Sequence, residues 1–187
     1  MKHDKTVIGL VGMPGSGKTT VATLITQLCN GEIITMGDVV RDYLRALRKP
    51  VTREELEKAA KELRQKMGED AIAKLCIDKV KKSKRDVVVV DGLRSLGEFK
   101  FFKRELPVFY LVYIHAPPNE RFKRLYKRAR EDDPKTWEEF EKRDLEELKL
   151  GLGKVIAFAD YVIVNDKSLR ELKESVQSFL REIGVYG

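Results

Sequence analysis

The chain has 187 residues, 42% of them hydrophobic and 36% charged, enough for one sizeable α/β core but not two full domains, and unlike a disordered chain. Its formal charge of +7 suits a protein that handles polyphosphates or nucleic acid, or a thermophile-like surface of Lys–Glu networks, and alone selects none of these. No apolar run approaches the ~20 residues needed to cross a bilayer, and Met1-Lys2-His3-Asp4-Lys5 leads into a strand pattern with no room for a signal peptide.

Thr6 to Val11 is a short apolar run ending near glycines, the profile of a central parallel strand. A helical period follows over 18–29, with Val21, Leu24, Ile25 and Leu28 on one face. Residues 31–36 form a second strand, and Gly37-Asp38 opens a helix that runs to about Lys49, before Pro50. Thr52 and Glu55 form a capping box for a helix over 53–66, and another covers 69–82. Four consecutive valines in Asp86–Asp91 mark a strand buried on both faces. Ser95 and Glu98 cap the next helix, and Pro107–His115 is a further strand. Pro117-Pro118 opens a basic helix to about 130, broken at Asp132-Asp133-Pro134. Thr136 caps a helix from 137 to about 150, after which Gly151-Leu152-Gly153 precedes a short apolar turn. Tyr161–Asn165 is the last strand, and Ser168 with Glu171 caps a helix over 169–183. Cys29 and Cys76, both within helical patterns, read as reduced buried thiols of a cytoplasmic protein. Strands alternating with helices predict a parallel sheet covered on both faces, in a single domain over 1–187 with subregions at about 38–82 and 128–153.

Gly12-Met13-Pro14-Gly15-Ser16-Gly17-Lys18-Thr19 fits G-x-x-x-x-G-K-[ST] at every position and lies between a buried strand and a helix. The glycines let backbone N–H groups converge on a β-phosphate at the helix N-terminus. Lys18 reaches the β- and γ-phosphates and the Thr19 hydroxyl takes a place on Mg²⁺. With Thr20, the stretch is the expected ATP site. Asp91, at the carboxyl end of the valine strand, is the second expected Mg²⁺ contact.

The loop and Thr20 together resemble the same stretch in P-loop nucleoside monophosphate kinases. Gly37-Asp38-Val39-Val40-Arg41 resembles the Gly-Asp-hydrophobic-hydrophobic-Arg segment of adenylate kinases, and Asp91-Gly92-Leu93-Arg94 resembles their Asp-Gly-x-x-Arg segment, one residue shorter and without its proline. Ala159–Asn165 and the capped helix after it resemble the end of dephospho-coenzyme A kinases. Over essentially its whole length the chain is similar to archaeal adenylate-kinase-like and dephospho-coenzyme-A-kinase-like proteins. The resemblance implies a three-layer α/β/α P-loop kinase fold with a five-stranded parallel sheet, a helical monophosphate-binding insert and a short lid. It implies that Arg41 and Arg94 hold an acceptor phosphate. Arg124 and Arg128 would turn towards the transferred phosphoryl, with Arg130 and Arg143 in the lid, and Asn165 would lie beside the adenine. Glu120, Arg124 and Arg128, spaced four apart, share one helical face.

The expected activity is ATP- and Mg²⁺-dependent phosphoryl transfer to a small phosphorylated acceptor, foremost ATP + AMP to two ADP. A hydroxyl acceptor such as dephospho-coenzyme A is the first alternative, with Asp38 as the assisting carboxylate. An RNA-associated or switch-type ATPase is the second; it finds no glycine- or aromatic-rich RNA motif. No membrane partner is expected, and no heptad seam specifies an oligomer. Trp137, Phe140 and His115 read as structural residues.

Overall fold

The computed structural model describes residues 5–130 and 133–187. Met1–Asp4 and Asp132, on which the reading of the N-terminus and part of the helix-breaking acidic segment rested, lie outside them. Five strands, β1 (Thr6–Val11), β2 (Glu32–Thr35), β3 (Val87–Asp91), β4 (Val108–His115) and β5 (Tyr161–Val164), form one sheet in the order β2-β3-β1-β4-β5. Every pairing is parallel. Helices α1 (Lys18–Cys29), α2 (Met36–Ala46), α3 (Arg53–Met67), α4 (Ala71–Lys82), α5 (Leu96–Glu105), α6 (Pro118–Arg128), α7 (Trp137–Lys149), α8 (Leu152–Ile156) and α9 (Leu169–Glu182) connect them.

The period of two along the central strands explains the layering. Val88 and Val90 of β3, with Val7 and Val11 of β1, face a core that also holds Met36, Val40, Leu44, Cys76, Val80, Phe102 and Val155. Val87 and Val89, with Ile8 and Leu10, face Val21, Ile25, Val176 and Leu180 of α1 and α9. Because both faces are covered, no polar alternation is needed, and the valine run is a strand without an exposed side. Gly9 breaks the apolar run for a steric reason: a Cβ there would lie 2.7 Å from the Phe109 ring.

Register fixes what stands at the carboxyl edge. Thr35 and Leu10 both pair with Asp91, and His115 pairs with Val164. The ends of β2, β3 and β1 therefore come together beneath the loops that follow them, where ligands of open α/β sheets bind.

Some boundaries differ from expectation. The α2 helix stops at Ala46, three residues before its expected end, and Arg48 takes a left-handed conformation. The basic helix stops at Arg128 because Ala129 is left-handed (φ 50°), so Arg130 leaves the helical face. The apolar turn after Gly151 is a short helix, α8, whose Leu152 and Val155 are buried. Cys76 is buried, but Cys29 is only half-buried near the surface; both are free thiols.

Candidate active site

Residues 12–17 leave β1 and enter α1 through Gly15 (φ 78°) and Gly17 (φ 96°), both in the left-handed region that side chains with a Cβ rarely adopt. Gly17 is the N-cap of α1 and has no side-chain cap, which leaves the first helical N–H groups directed into the loop. The Ser16 hydroxyl is buried there without a hydrogen-bond partner. Lys18 Nζ donates to the carbonyls of Gly12 (2.7 Å) and Met13 (3.2 Å), curling over its own loop.

Charge converges on this lysine. Burial lowers its pKa from 10.5 to about 8; Asp91 opposes the fall, Arg94 adds to it, Glu147 opposes it and Arg121 adds to it. Asp91 shifts the other way. Burial raises its pKa, held back by Lys18, the Thr19 hydroxyl and Arg94. Thr19 Oγ1 lies 3.5 Å from Asp91 Oδ2. A hydroxyl at the start of α1 and a carboxylate at the end of β3 fit a Mg²⁺ ion carried on phosphates, which needs few protein ligands. Among the described residues no group of three or more His, Cys, Asp or Glu side chains forms a metal cage. The orphaned Ser16 hydroxyl, the uncapped helix and the buried ammonium fit a polyphosphate. Thr20 is exposed on the first turn of α1.

Arg94 follows β3 and reaches back to α7, where its Nη1 lies 3.4 Å from Glu147 Oε1. Its backbone is held by Glu98, a carboxylate with no exposure at all. Glu98 Oε2 accepts from the N–H groups of Arg94 (2.8 Å) and Ser95 (3.1 Å), while Oε1 accepts from Arg64 Nη2 of α3 (2.9 Å). The capping box expected at Ser95 is present; its glutamate also serves as a buried ion-pair partner. Arg41 stands on the exposed face of α2, opposite the stripe Met36, Val39, Val40 and Leu44. It pairs with Asp38 one turn earlier, and its guanidinium lies near Gly37, two residues beyond Thr35. Asp38 therefore sits at the same edge as Asp91, although it is 56% exposed and occupied by Arg41.

The basic residues of α6 divide instead of converging. Arg124 Nη2 donates to the Asn165 carbonyl (2.8 Å) and its Nη1 to the Ser16 carbonyl (3.4 Å). Asn165 Nδ2 also donates to Ser16 O (2.8 Å) and fills the space that a Cβ on Gly17 would need. Arg124 and Asn165 thus brace the loop to the end of β5. Arg128 turns away to Asp133, whose carboxylate also accepts from Arg143 Nη1 (3.3 Å) and the Arg130 N–H (3.1 Å). The Arg128 hydrogen bond is the main reason the Asp133 pKa falls from 3.8 to about 2. The Arg130 side chain is exposed.

Sequence reasoning missed Arg121, buried with Leu125 on the inner face of α6. Its guanidinium forks onto Asp144 of α7 (2.9 and 2.6 Å), donates to Ala116 O and Pro14 O (3.2 Å each) and stacks on Phe140 at 4.9 Å. The signal was available: Arg121 and apolar Leu125 are four apart, on the side that must face inward. Trp137, Phe140 and Phe122 pack together at 5.0–5.6 Å between α6 and α7. His115 Nδ1 lies 2.8 Å from the Tyr113 hydroxyl.

Among solved structures, the fold is similar to TT1252 from Thermus thermophilus (TM-score 0.63, 19% identity, 96% of this chain and 98% of that one). It is also similar to the shikimate kinase of Bacteroides thetaiotaomicron (TM-score 0.61, 20% identity, 95% and 98%) and to a gluconokinase from Sinorhizobium meliloti 1021 (0.55, 17%, 98% and 95%). Fold and loop together define a P-loop nucleotide-binding protein of kinase-like architecture. Residues 11–141 match a family model described as an AAA domain. The chain belongs to the UPF0200 family: it is 42% identical to the UPF0200 protein of Thermococcus onnurineus over 181 residues, covering 95% of this chain and 97% of the relative. It is 46% identical to a UPF0200 protein of Saccharolobus solfataricus over 168 residues, 89% and 88% of the two chains.

Proposed function

We propose that the protein transfers the γ-phosphoryl of ATP to a small phosphorylated acceptor. The observation that carries this reading is Arg94, on a loop anchored by a buried carboxylate at the carboxyl end of β3, its charge acting on both the phosphate-loop lysine and Asp91. Phosphoryl transfer asks a protein mainly to neutralise donor oxygens, hold the acceptor in line and exclude water. Lys18, the loop amides and the Ser16 hydroxyl serve the donor. Thr19 and Asp91 would hold Mg²⁺, which would supply positive charge to the phosphates. Arg94 and Arg41 grip the acceptor anion through forked contacts that lysine does not reproduce. Residues 38–82 form the acceptor subregion and 128–153 the lid, with Arg128, Arg130 and Arg143 gathered about Asp133 until the lid closes. Arg124 and Asn165 act at the adenine end by holding the loop in shape. Two free thiols suit a reducing, cytoplasmic setting.

The resemblance of residues 37–41 and 91–94 to adenylate kinases puts a nucleoside monophosphate first among acceptors. A second reading, transfer to a hydroxyl of a phosphorylated metabolite such as dephospho-coenzyme A, is favoured by carboxylates at the acceptor edge, Asp38 and Glu147.

The test is incubation with MgATP and either AMP, another monophosphate, dephospho-coenzyme A or no acceptor, resolving all products. A phosphorylated acceptor should form with wild type and be lost in Lys18→Ala. Phosphate release with no acceptor product would sink the kinase reading and leave a switch or RNA-associated ATPase.

A further inference from the structure

Helix α7 crosses beside the phosphate loop with two carboxylates one turn apart, Asp144 and Glu147. The first is structural. Asp144 takes both Nη atoms of Arg121, and Arg121 also bonds Pro14 O, so this turn of α7 is pinned to the loop itself. The next turn presents Glu147, 13% exposed, with Oε1 3.4 Å from Arg94 Nη1. Its charge also acts on Lys18.

Other carboxylates of the neighbourhood are differently engaged. Asp91 faces the Thr19 hydroxyl. Asp38 is exposed and paired with Arg41. A carboxylate beside an anion-binding loop is costly unless it does something a neutral residue would not, because like charges at close range repel. When ionised it accepts hydrogen bonds and donates none. The part of an acceptor that meets Glu147 must therefore be a hydrogen-bond donor. The attacking oxygen of a monophosphate is anionic and is repelled there; a hydroxyl is attracted and its proton has a destination.

We infer that Glu147 receives the proton of a hydroxyl acceptor, so that the nucleophile is a hydroxyl and Arg94, the partner of Glu147, holds that acceptor's anionic group. The inference rests on the kinase reading and chooses between its two acceptor classes. In the transfer, the acceptor oxygen bonds to the γ-phosphorus while the bond from that phosphorus to the β,γ-bridging oxygen breaks. ADP leaves with the bonding pair. The hydroxyl proton passes to a Glu147 carboxylate oxygen and is released to solvent as the products depart.

The experiment compares wild type with Glu147→Gln, which keeps the side chain's size and hydrogen-bonding reach but not its basicity. The full chain is given MgATP with AMP, dephospho-coenzyme A, shikimate or gluconate in turn, and MgATP affinity is measured in parallel. The expected result is transfer to a hydroxyl probe by wild type and a kcat lower by roughly 10²–10⁴-fold in Glu147→Gln, with MgATP affinity preserved within about threefold. Three results overturn it: AMP as the sole acceptor phosphorylated, a Glu147→Gln kcat within about threefold of wild type, or a variant that loses MgATP binding together with turnover. Wild type that releases phosphate from MgATP and phosphorylates neither these probes nor another nucleoside monophosphate overturns the kinase reading and this inference with it. An active wild type with an unimpaired variant overturns the inference alone.

Discussion

The lysine of a phosphate loop must be charged when a triphosphate arrives, yet burial, only partly offset by Asp91 and Glu147, disfavours the charge on Lys18. Its pKa of about 8 in the free protein has two consequences of definite sign. Between about pH 8 and 10.5 the folded chain binds fewer protons at this site than the unfolded chain, so stability contributed by the site rises with pH across that window. At pH 7 the charged form is the strained one, and Lys18→Met should raise the thermal midpoint while abolishing transfer, a common trade between stability and function. Ligand binding runs the other way. A bound triphosphate restores the charge, so above pH 8 binding requires uptake of a proton and affinity falls by up to about tenfold per unit. Calorimetry in buffers of different ionisation heat should find close to one proton taken up per MgATP at pH 9 and almost none at pH 7. Equal uptake at both would remove Lys18 from the phosphates. The loop residues and Asp91 were legible as a group because local spacing and strand ends constrain them. Arg121, Asp144 and Glu147 were not, because their partners lie across chain gaps; Arg121 meets Pro14 from 107 positions away.

Elements were easier to read than contacts between them. Four valines in series, paired capping residues at Ser95 and Ser168, and prolines at helix entries are local signals, and the five strands emerge from them with boundaries close to those observed. Errors fall where a backbone conformation ended a helix early, at Arg48 and Ala129, since neither residue type announces a left-handed turn. Sequence patterns were also silent on how α3 docks. There Arg64, Glu98 and the Arg94 backbone form one unit, with Ser95 Oγ donating to Glu69 O (3.0 Å). Removing one partner of a buried ion pair leaves the other uncompensated, at a cost of about 3–5 kcal/mol. Arg64→Met should lower the denaturation free energy by that order, and amide exchange at Arg94 and Ser95 should quicken along with it. A loss below about 1 kcal/mol would mean that Glu98 finds other partners and that the loop is held elsewhere. The brace on the other side is separable: Arg121→Lys keeps the charge but not the fork, and amide exchange at Met13, Gly15 and Ser16 should rise without comparable change at Arg94.

At the scale of the whole molecule, the site is assembled from the ends of β1, β3 and β5 together with α1, α6 and α7, so ligand binding acts on the fold rather than on one loop. MgATP at about 100 times its dissociation constant should stabilise the native state by roughly 2.7 kcal/mol. For a chain of this length that is a rise of roughly 5–11 °C in thermal midpoint, absent in Lys18→Ala. A shift confined to a minor unfolding phase would instead show that part of the chain melts independently of the site. The brace from Asn165 reaches far along the chain, closing on Ser16 across 149 positions. During synthesis the loop motif is made 149 positions before the side chain that shapes it. A nascent chain should therefore carry the complete motif without a formed nucleotide site, and gain ATP binding only once β5 has emerged and docked.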